Sequence, residues 1–313
     1  MKNTHIEHPE DNILDGKDAA LNVIDFLMFT QEGDIGNKVS LKWDGSPAIV
    51  FGTNPENGKF FVGTKSVFNK KTPKLNYTVE DIHNNHESEN VREILTLCLL
   101  YLPQVDGIYQ GDYIGIADGK RDFTPNTITY RFPVAISEQL VIALHTRYRG
   151  DTIADLSAEP FNGKFASDYC YFPSVNVTDL GVVLTSLGVY KGHAYDLIND
   201  IEFPEFKTKT AKANVKKLIN DYIRKGKQLD PFELSDETDI DWRFFALYNL
   251  IVRMKDAVTD RYLPNEMCQC FINTKSANHE GFVVTNSYGS FKLINRTQFS
   301  RANFNNQKFR VTV

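Results

Sequence analysis

Lys42-Trp43-Asp44-Gly45-Ser46 follows the apolar positions Val39 and Leu41, and its residue types suit covalent chemistry through an amine. A lysine attacks only when neutral, against an ordinary pKa of about 10.4. Partial desolvation and nearby cations depress that value. An acidic neighbour can orient the amine, and a glycine lets a nucleotide approach the backbone. A Lys-x-Asp-Gly at a strand end therefore suits catalysis through a phosphoramide. The same string also fits a hairpin with a surface lysine and a turn-forming Asp-Gly.

Further polar groups follow in a fixed order, each set in a strand-like context. They are Gly63-Thr64-Lys65-Ser66, Gln110-Gly111-Asp112, Tyr130-Arg131-Phe132, His279-Glu280-Gly281 and Phe291-Lys292-Leu293-Ile294-Asn295. In this order the chain resembles the covalent nucleotidyltransferase superfamily of polynucleotide ligases and mRNA capping enzymes. The likeness is greatest to phage-type ATP-dependent RNA ligases, whose first motif is often Lys-x-Asp-Gly-Ser.

The resemblance implies that Lys42 takes the AMP of ATP, that Asp44 helps orient it, and that Gly45 and Ser46 lie against the nucleotide. Lys65 would match the basic second motif near the phosphates. Asp112 would take the ribose- or metal-binding place, where the family usually has a Glu. Phe132, or Tyr130, would stack on the base. Glu280 would serve Mg²⁺ and the reacting lysine, and Lys292 would contact the α-phosphate as pyrophosphate leaves. Such transfers depend on positioning and on neutralising phosphate charge, which lysines and a carboxylate-held Mg²⁺ supply. Three departures stand out: Pro47 where DNA ligases usually place Arg, Asp112 one methylene shorter than Glu, and Ile294 in place of a second lysine, which Arg296 would have to replace.

The elements that must hold these groups read as α+β. Apolar spacing predicts a helix over 15–30, with Asp15 as its cap, and another over 88–102, closed by Pro103. Clusters at 39–43, 48–51 and 60–62 read as strands, with the hairpin signal Asn57-Gly58 between the last two. Residues 108–116 and 127–134 read as strands, 137–147 as a helix, 211–223 and 240–258 as helices, and 281–294 as a hairpin around Tyr288-Gly289. Taken with this pattern, the resemblance implies an ATP-grasp-like ligase adenylation domain of antiparallel sheets flanked by helices, formed by 1–135 and 262–313. Residues 136–261 would form an inserted, partly helical subdomain. Only 18 residues follow Asn295, which predicts no C-terminal OB barrel.

Composition bounds the rest. The 313 residues carry 35 Lys plus Arg against 40 Asp plus Glu, a net charge of −5 that neither demands nor excludes a nucleic-acid partner. Lys207–Lys227 nevertheless holds eight basic residues and one acid. Its apolar positions fall on one helical face, so Lys212, Lys216 and Lys217 are expected to contact a phosphate backbone, as are Lys70 and Lys71. No apolar run is long enough to span a membrane. The polar, acidic leader lacks a signal-peptide core. Cys98, Cys170, Cys268 and Cys270 read as buried thiols in a reducing cytoplasm, and the Cys-x-Cys lacks paired zinc spacing. The histidines suggest no metal set, although His279 beside Glu280 is notable; His83, His86, His145 and His193 read as surface or capping residues. The expected activity is ATP- and Mg²⁺-dependent sealing of RNA or other polynucleotide ends. The rivals are a catalytically diverged binding protein and a nucleotidyltransferase for a non-nucleic acceptor.

Overall fold

The computed structural model describes residues 6–31, 36–181 and 185–305. In chain order these form α1 (Pro9–Asn12), α2 (Lys17–Gln31), β1 (Lys38–Lys42), β2 (Ala48–Thr53), β3 (Phe60–Gly63), α3 (Val79–Asn85) and α4 (Glu89–Tyr101). Next come β4 (Ile108–Ile116), β5 (Asp122–Phe123), β6 (Thr129–Arg131), β7 (Leu140–Arg149), β8 (Ser157–Pro160), β9 (Cys170–Tyr171) and β10 (Val177–Asp179). Helices α5 (Thr185–Asp200), α6 (Lys209–Lys225), α7 (Pro231–Thr238) and α8 (Trp242–Thr259) follow. The remaining elements are β11 (Tyr262–Pro264), β12 (Gln269–Ile272), β13 (Lys275–Ala277), β14 (Gly281–Asn286), β15 (Gly289–Ile294) and α9 (Phe299–Asn305). The class is α+β with mainly antiparallel sheets, and no closed barrel occurs among the described residues. No described helix is long and apolar enough to cross a membrane.

The chain divides into two compact units. The first comprises Ser40–Asn176 and Pro264–His279. Its main sheet runs β3-β2-β4-β7-β8, with β9 pairing parallel to β7. Helix α4 covers one face. Ser88 caps it by accepting from Val91 N–H, and Ile94, Leu95 and Cys98 pack on Ile49, Phe51, Val62, Tyr113, Ile142 and Leu144. Val50, Phe61, Val67, Ile108 and Tyr148 form a second cluster. A smaller sheet, β13-β12-β6-β5, completes this unit.

The second unit comprises Ile6–Val39, Val177–Leu263 and Glu280 onward. Helix α8 is its axis. Phe244, Phe245, Leu247, Ile251, Met254 and Val258 are all buried, so the helix is enclosed around most of its circumference. The β14–β15 hairpin packs Phe291 edge-on against Phe26 of α2, with ring centroids 4.7 Å apart. A charged knot lies inside the unit. Lys255 and Glu10, both 0% exposed, pair at 2.6 Å. Arg296 donates to Asp11 at 2.9 Å and to the Tyr248 hydroxyl at 2.6 Å, and it also reaches Asn220.

Two sequence expectations need correction. Residues 140–149 form a strand central to the first sheet, because the run Leu140–Leu144 is buried on both faces and shows no period-2 alternation. The unit boundary therefore falls after Asn176, and the helices share a unit with α2 and the final hairpin. The polar leader is partly interior, since Glu10 and Asp11 are the buried partners of Lys255 and Arg296.

Candidate functional site

In the first unit, Lys42 ends β1 and the chain turns sharply through Asp44–Pro47 onto β2. Two contacts dock this turn on β4: Ser46 N–H donates to Tyr113 O and Tyr113 N–H donates to Pro47 O, both at 3.0 Å. The Ser46–Pro47 peptide is cis. Gly45 is dictated by this docking, because a Cβ there would lie 2.6 Å from Asp112 Cβ and 2.8 Å from Tyr113 O. The missing side chain thus makes room for Asp112 itself, where the sequence had suggested room for a nucleotide.

Asp44 is 5% exposed, and its carboxylate is turned to the loop before β6. It accepts from Asn126 Nδ2 at 2.7 Å, Thr127 N–H at 2.8 Å and Ile128 N–H at 3.0 Å. Its own N–H donates to the Tyr130 hydroxyl at 2.6 Å. Asp44 therefore locks the lysine-bearing turn onto its neighbouring strand. Behind it stands an aromatic wall. Trp43 is stacked on Phe132 at 6.1 Å with a 7° interplanar angle, and Phe132 also meets Phe123 and Tyr171 edge-on. Phe132 is 2% and Tyr130 0% exposed, so both expected base-stacking rings are interior wall residues.

Asp112 is the electrostatic centre of the site. Its register partners are Ala48 on β2 and Ala143 on β7, and His145 Nε2 lies 3.7 Å from its Oδ1. Burial alone would raise its carboxyl pKa, but His145, Lys42 and Lys65 together hold it below the usual carboxylate range. Lys65 is exposed at the start of a 3-10 turn capped by Thr64, whose hydroxyl oxygen accepts from Ser66 N–H. The first unit thus brings together Lys42, Lys65, Asp112 and Gly45, as the sequence suggests, and adds His145. Reading 137–147 as a helix hid that histidine; as a strand paired with β4, it stands beside Asp112.

Glu280 and Lys292 belong to the second unit. Glu280 is buried just before β14, and Lys292 sits on β15 opposite Val283. Ile294 is core at 4% exposed, and Arg296 is held in the charged knot, so it is not a spare cation for the final motif. The basic segment is α6, but two of its lysines are already committed: Lys212 pairs with Asp15, and Lys216 with Glu7 at 2.8 Å and Asp11 at 3.7 Å. Lys217 is exposed, as are Lys70 and Lys71 in the loop after the 3-10 turn of the first unit. The cysteine and histidine expectation also changes, since Cys268, Cys270 and His279 cluster with ligand atoms within 4.8 Å of one another.

No curated protein and no solved structure matches this chain. A family model described as a family of unknown function (DUF6267) matches residues 3–238 and 232–308, and the chain belongs to that family.

Proposed function

We propose that the protein is an ATP-dependent nucleotidyltransferase that seals RNA or other polynucleotide ends through a lysyl-AMP on Lys42. The observation that supports this reading is the gathering of Lys42, Lys65 and His145 around the ionised Asp112, with Gly45 seated against it. A carboxylate among basic side chains at a strand-end lysine is the kind of arrangement that orients an amine and receives a triphosphate. In the first step the neutral Lys42 amine forms a bond to the α-phosphorus, the bond to pyrophosphate breaks, and the amine loses a proton. A 5′-phosphate oxygen then attacks that phosphorus and releases Lys42. Finally a 3′-hydroxyl attacks the activated 5′-phosphate, and AMP leaves.

Asp112 is ionised and suits an oxygen ligand to Mg²⁺; the ion would supply neutralisation of phosphate charge. Lys65 would carry phosphate contacts, while Lys70 and Lys71 of the same unit would contact the strand. Phe132 and Asp44 act in this reading by holding the turn that carries Lys42.

The test is intact mass after incubation with ATP and Mg²⁺, beside Lys42→Ala, followed by addition of 5′-phosphorylated nicked RNA. Gain of one AMP on the wild type alone, discharged by the RNA, is the expected result. An adduct that RNA cannot discharge points to a non-nucleic acceptor. A second reading, a diverged nucleotide-binding protein, is favoured by one observation: Ile294 and Arg296 are both buried, so the last motif has only Lys292 as its basic group. Absence of any adduct with ATP, GTP or NAD⁺ would select that reading.

A further inference from the structure

The smaller sheet of the first unit carries a second cluster of reactive side chains. Strands β12 and β13 pair as Cys270↔Ala277, Phe271↔Ser276 and Ile272↔Lys275, closed by Asn273 and Thr274, both at positive φ. Continuing that register outward sets Cys268 opposite His279. Residues two apart on a strand share a face, and directly opposed residues share it too. Cys268, Cys270 and His279 therefore fall on one face of the hairpin, and the small Ala277 is the residue opposite Cys270.

We propose that Cys268, Cys270 and His279 bind a single Zn²⁺-class metal ion. Their ligand atoms all lie within 4.8 Å of one another, and Cys268 Sγ is 3.4 Å from His279 Nε2. In a tetrahedral zinc site with Zn–S about 2.3 Å and Zn–N about 2.0–2.1 Å, the sulfur–nitrogen edge is about 3.6 Å. The observed spacing is close to a ligand edge before any ion is placed. Two sulfurs and an imidazole favour zinc over the hard cations that prefer oxygen. His279 Nε2 faces Cys268 and is the nitrogen placed to bind the ion; the buried Nδ1 is the ring atom left over. The three protein ligands leave the fourth position to water.

The cluster also touches the wall behind the Lys42 turn. Trp43 meets His279 edge-on at 5.4 Å and 81°, and Tyr130 lies 5.9 Å from the same ring. An ion here would pin the β12–β13 hairpin beneath that wall, whatever reaction the turn performs.

The experiment uses the full chain, reduced and freed of metal with a chelator. Addition of Co²⁺ under argon is expected to produce a thiolate-to-cobalt charge-transfer band that saturates at one equivalent, and Zn²⁺ should bleach it. Cys268→Ser, Cys270→Ser and His279→Gln should each weaken binding at least tenfold, while Cys98→Ala should leave it unchanged. Should the serine variants fail to fold, the half-buried His279 keeps the assignment testable through His279→Gln, with circular dichroism as the folding control. Folded wild type that shows no band and retains no zinc after gel filtration overturns the proposal. A band that persists unchanged in folded Cys270→Ser or His279→Gln overturns it equally.

Discussion

Replacing Asp44 with Ala should loosen the turn that carries Lys42, and the size of the effect follows from its hydrogen bonds. Three donors reach the carboxylate, two of them backbone N–H groups, within 3.0 Å. Ile128 is 1% exposed, so water cannot replace the acceptor its N–H loses. A hydrogen bond to a charged group contributes about 1.5–3 kcal/mol, and a buried donor left without a partner costs about 1–3 kcal/mol. The combined loss should be about 3–5 kcal/mol for the first unit, since partial relaxation keeps the total below the simple sum. Asp44→Asn keeps the shape and one carbonyl oxygen, so about 1–2 kcal/mol is expected. Trp43, adjacent to the substituted residue and 2% exposed, is a built-in reporter. Urea unfolding followed by tryptophan fluorescence in a Trp242→Phe background would isolate its signal. If Asp44→Ala leaves the Trp43 transition at the wild-type midpoint, the carboxylate is not what fastens the turn, and the account of Asp44 fails.

Gly45→Ala forces a methyl to within 3 Å of Asp112 and a backbone oxygen, and should cost about 1–3 kcal/mol in the same assay; a neutral effect would show that the turn is not seated on β4. Asp112, with its folded pKa lowered from 3.8, adds stability that is present above that value and lost as pH falls through the lowered one. The difference in urea midpoint between wild type and Asp112→Asn should accordingly shrink as pH falls below about 4; a difference that stays constant from about pH 5 down to about pH 2 would refute the basic surround. Lys255→Met leaves the buried Glu10 carboxylate with Arg296 at 3.8 Å in place of its 2.6 Å partner and should destabilise the second unit by about 3–5 kcal/mol. Adding Glu10→Gln should restore part of that loss, and thermal melts of the two variants provide the comparison.

Local signals were legible where one force dominated. The Asn54–Lys59 connection closes the β2–β3 hairpin as its Asn-Gly suggests, and Pro103 follows directly where α4 ends. Helices α6 and α8 lie within two residues of their apolar stripes. Strand β7 was misread because an apolar run buried on both faces carries no period, and only its β-branched content could have arbitrated. That error displaced the unit boundary and concealed His145. The roles of Gly45 and Asp44 were not readable either, since a glycine seated against β4 and a carboxylate serving a distant loop depend on neighbours more than 60 residues away. Cys268, Cys270 and His279 did carry a latent signal: a two-residue turn at Asn273-Thr274 fixes the register that opposes 268 and 279. Recognising it required knowing that the short segments on either side pair.

The distribution of the charged knot along the chain has a consequence for biosynthesis. The six strands of the first unit's main sheet have all been made once Tyr171 is translated, whereas Glu10 and Asp11 must wait for Lys255 and Arg296. At roughly 5–20 residues per second, the interval from Tyr171 to Arg296 lasts about 6–25 s. During that time the sheet can assemble on the ribosome while the amino-terminal carboxylates remain hydrated. Ordering of the second unit is therefore tied to the synthesis of Arg296, and a nascent chain stalled before it would carry a folded sheet while the helices of the second unit still lack that cation.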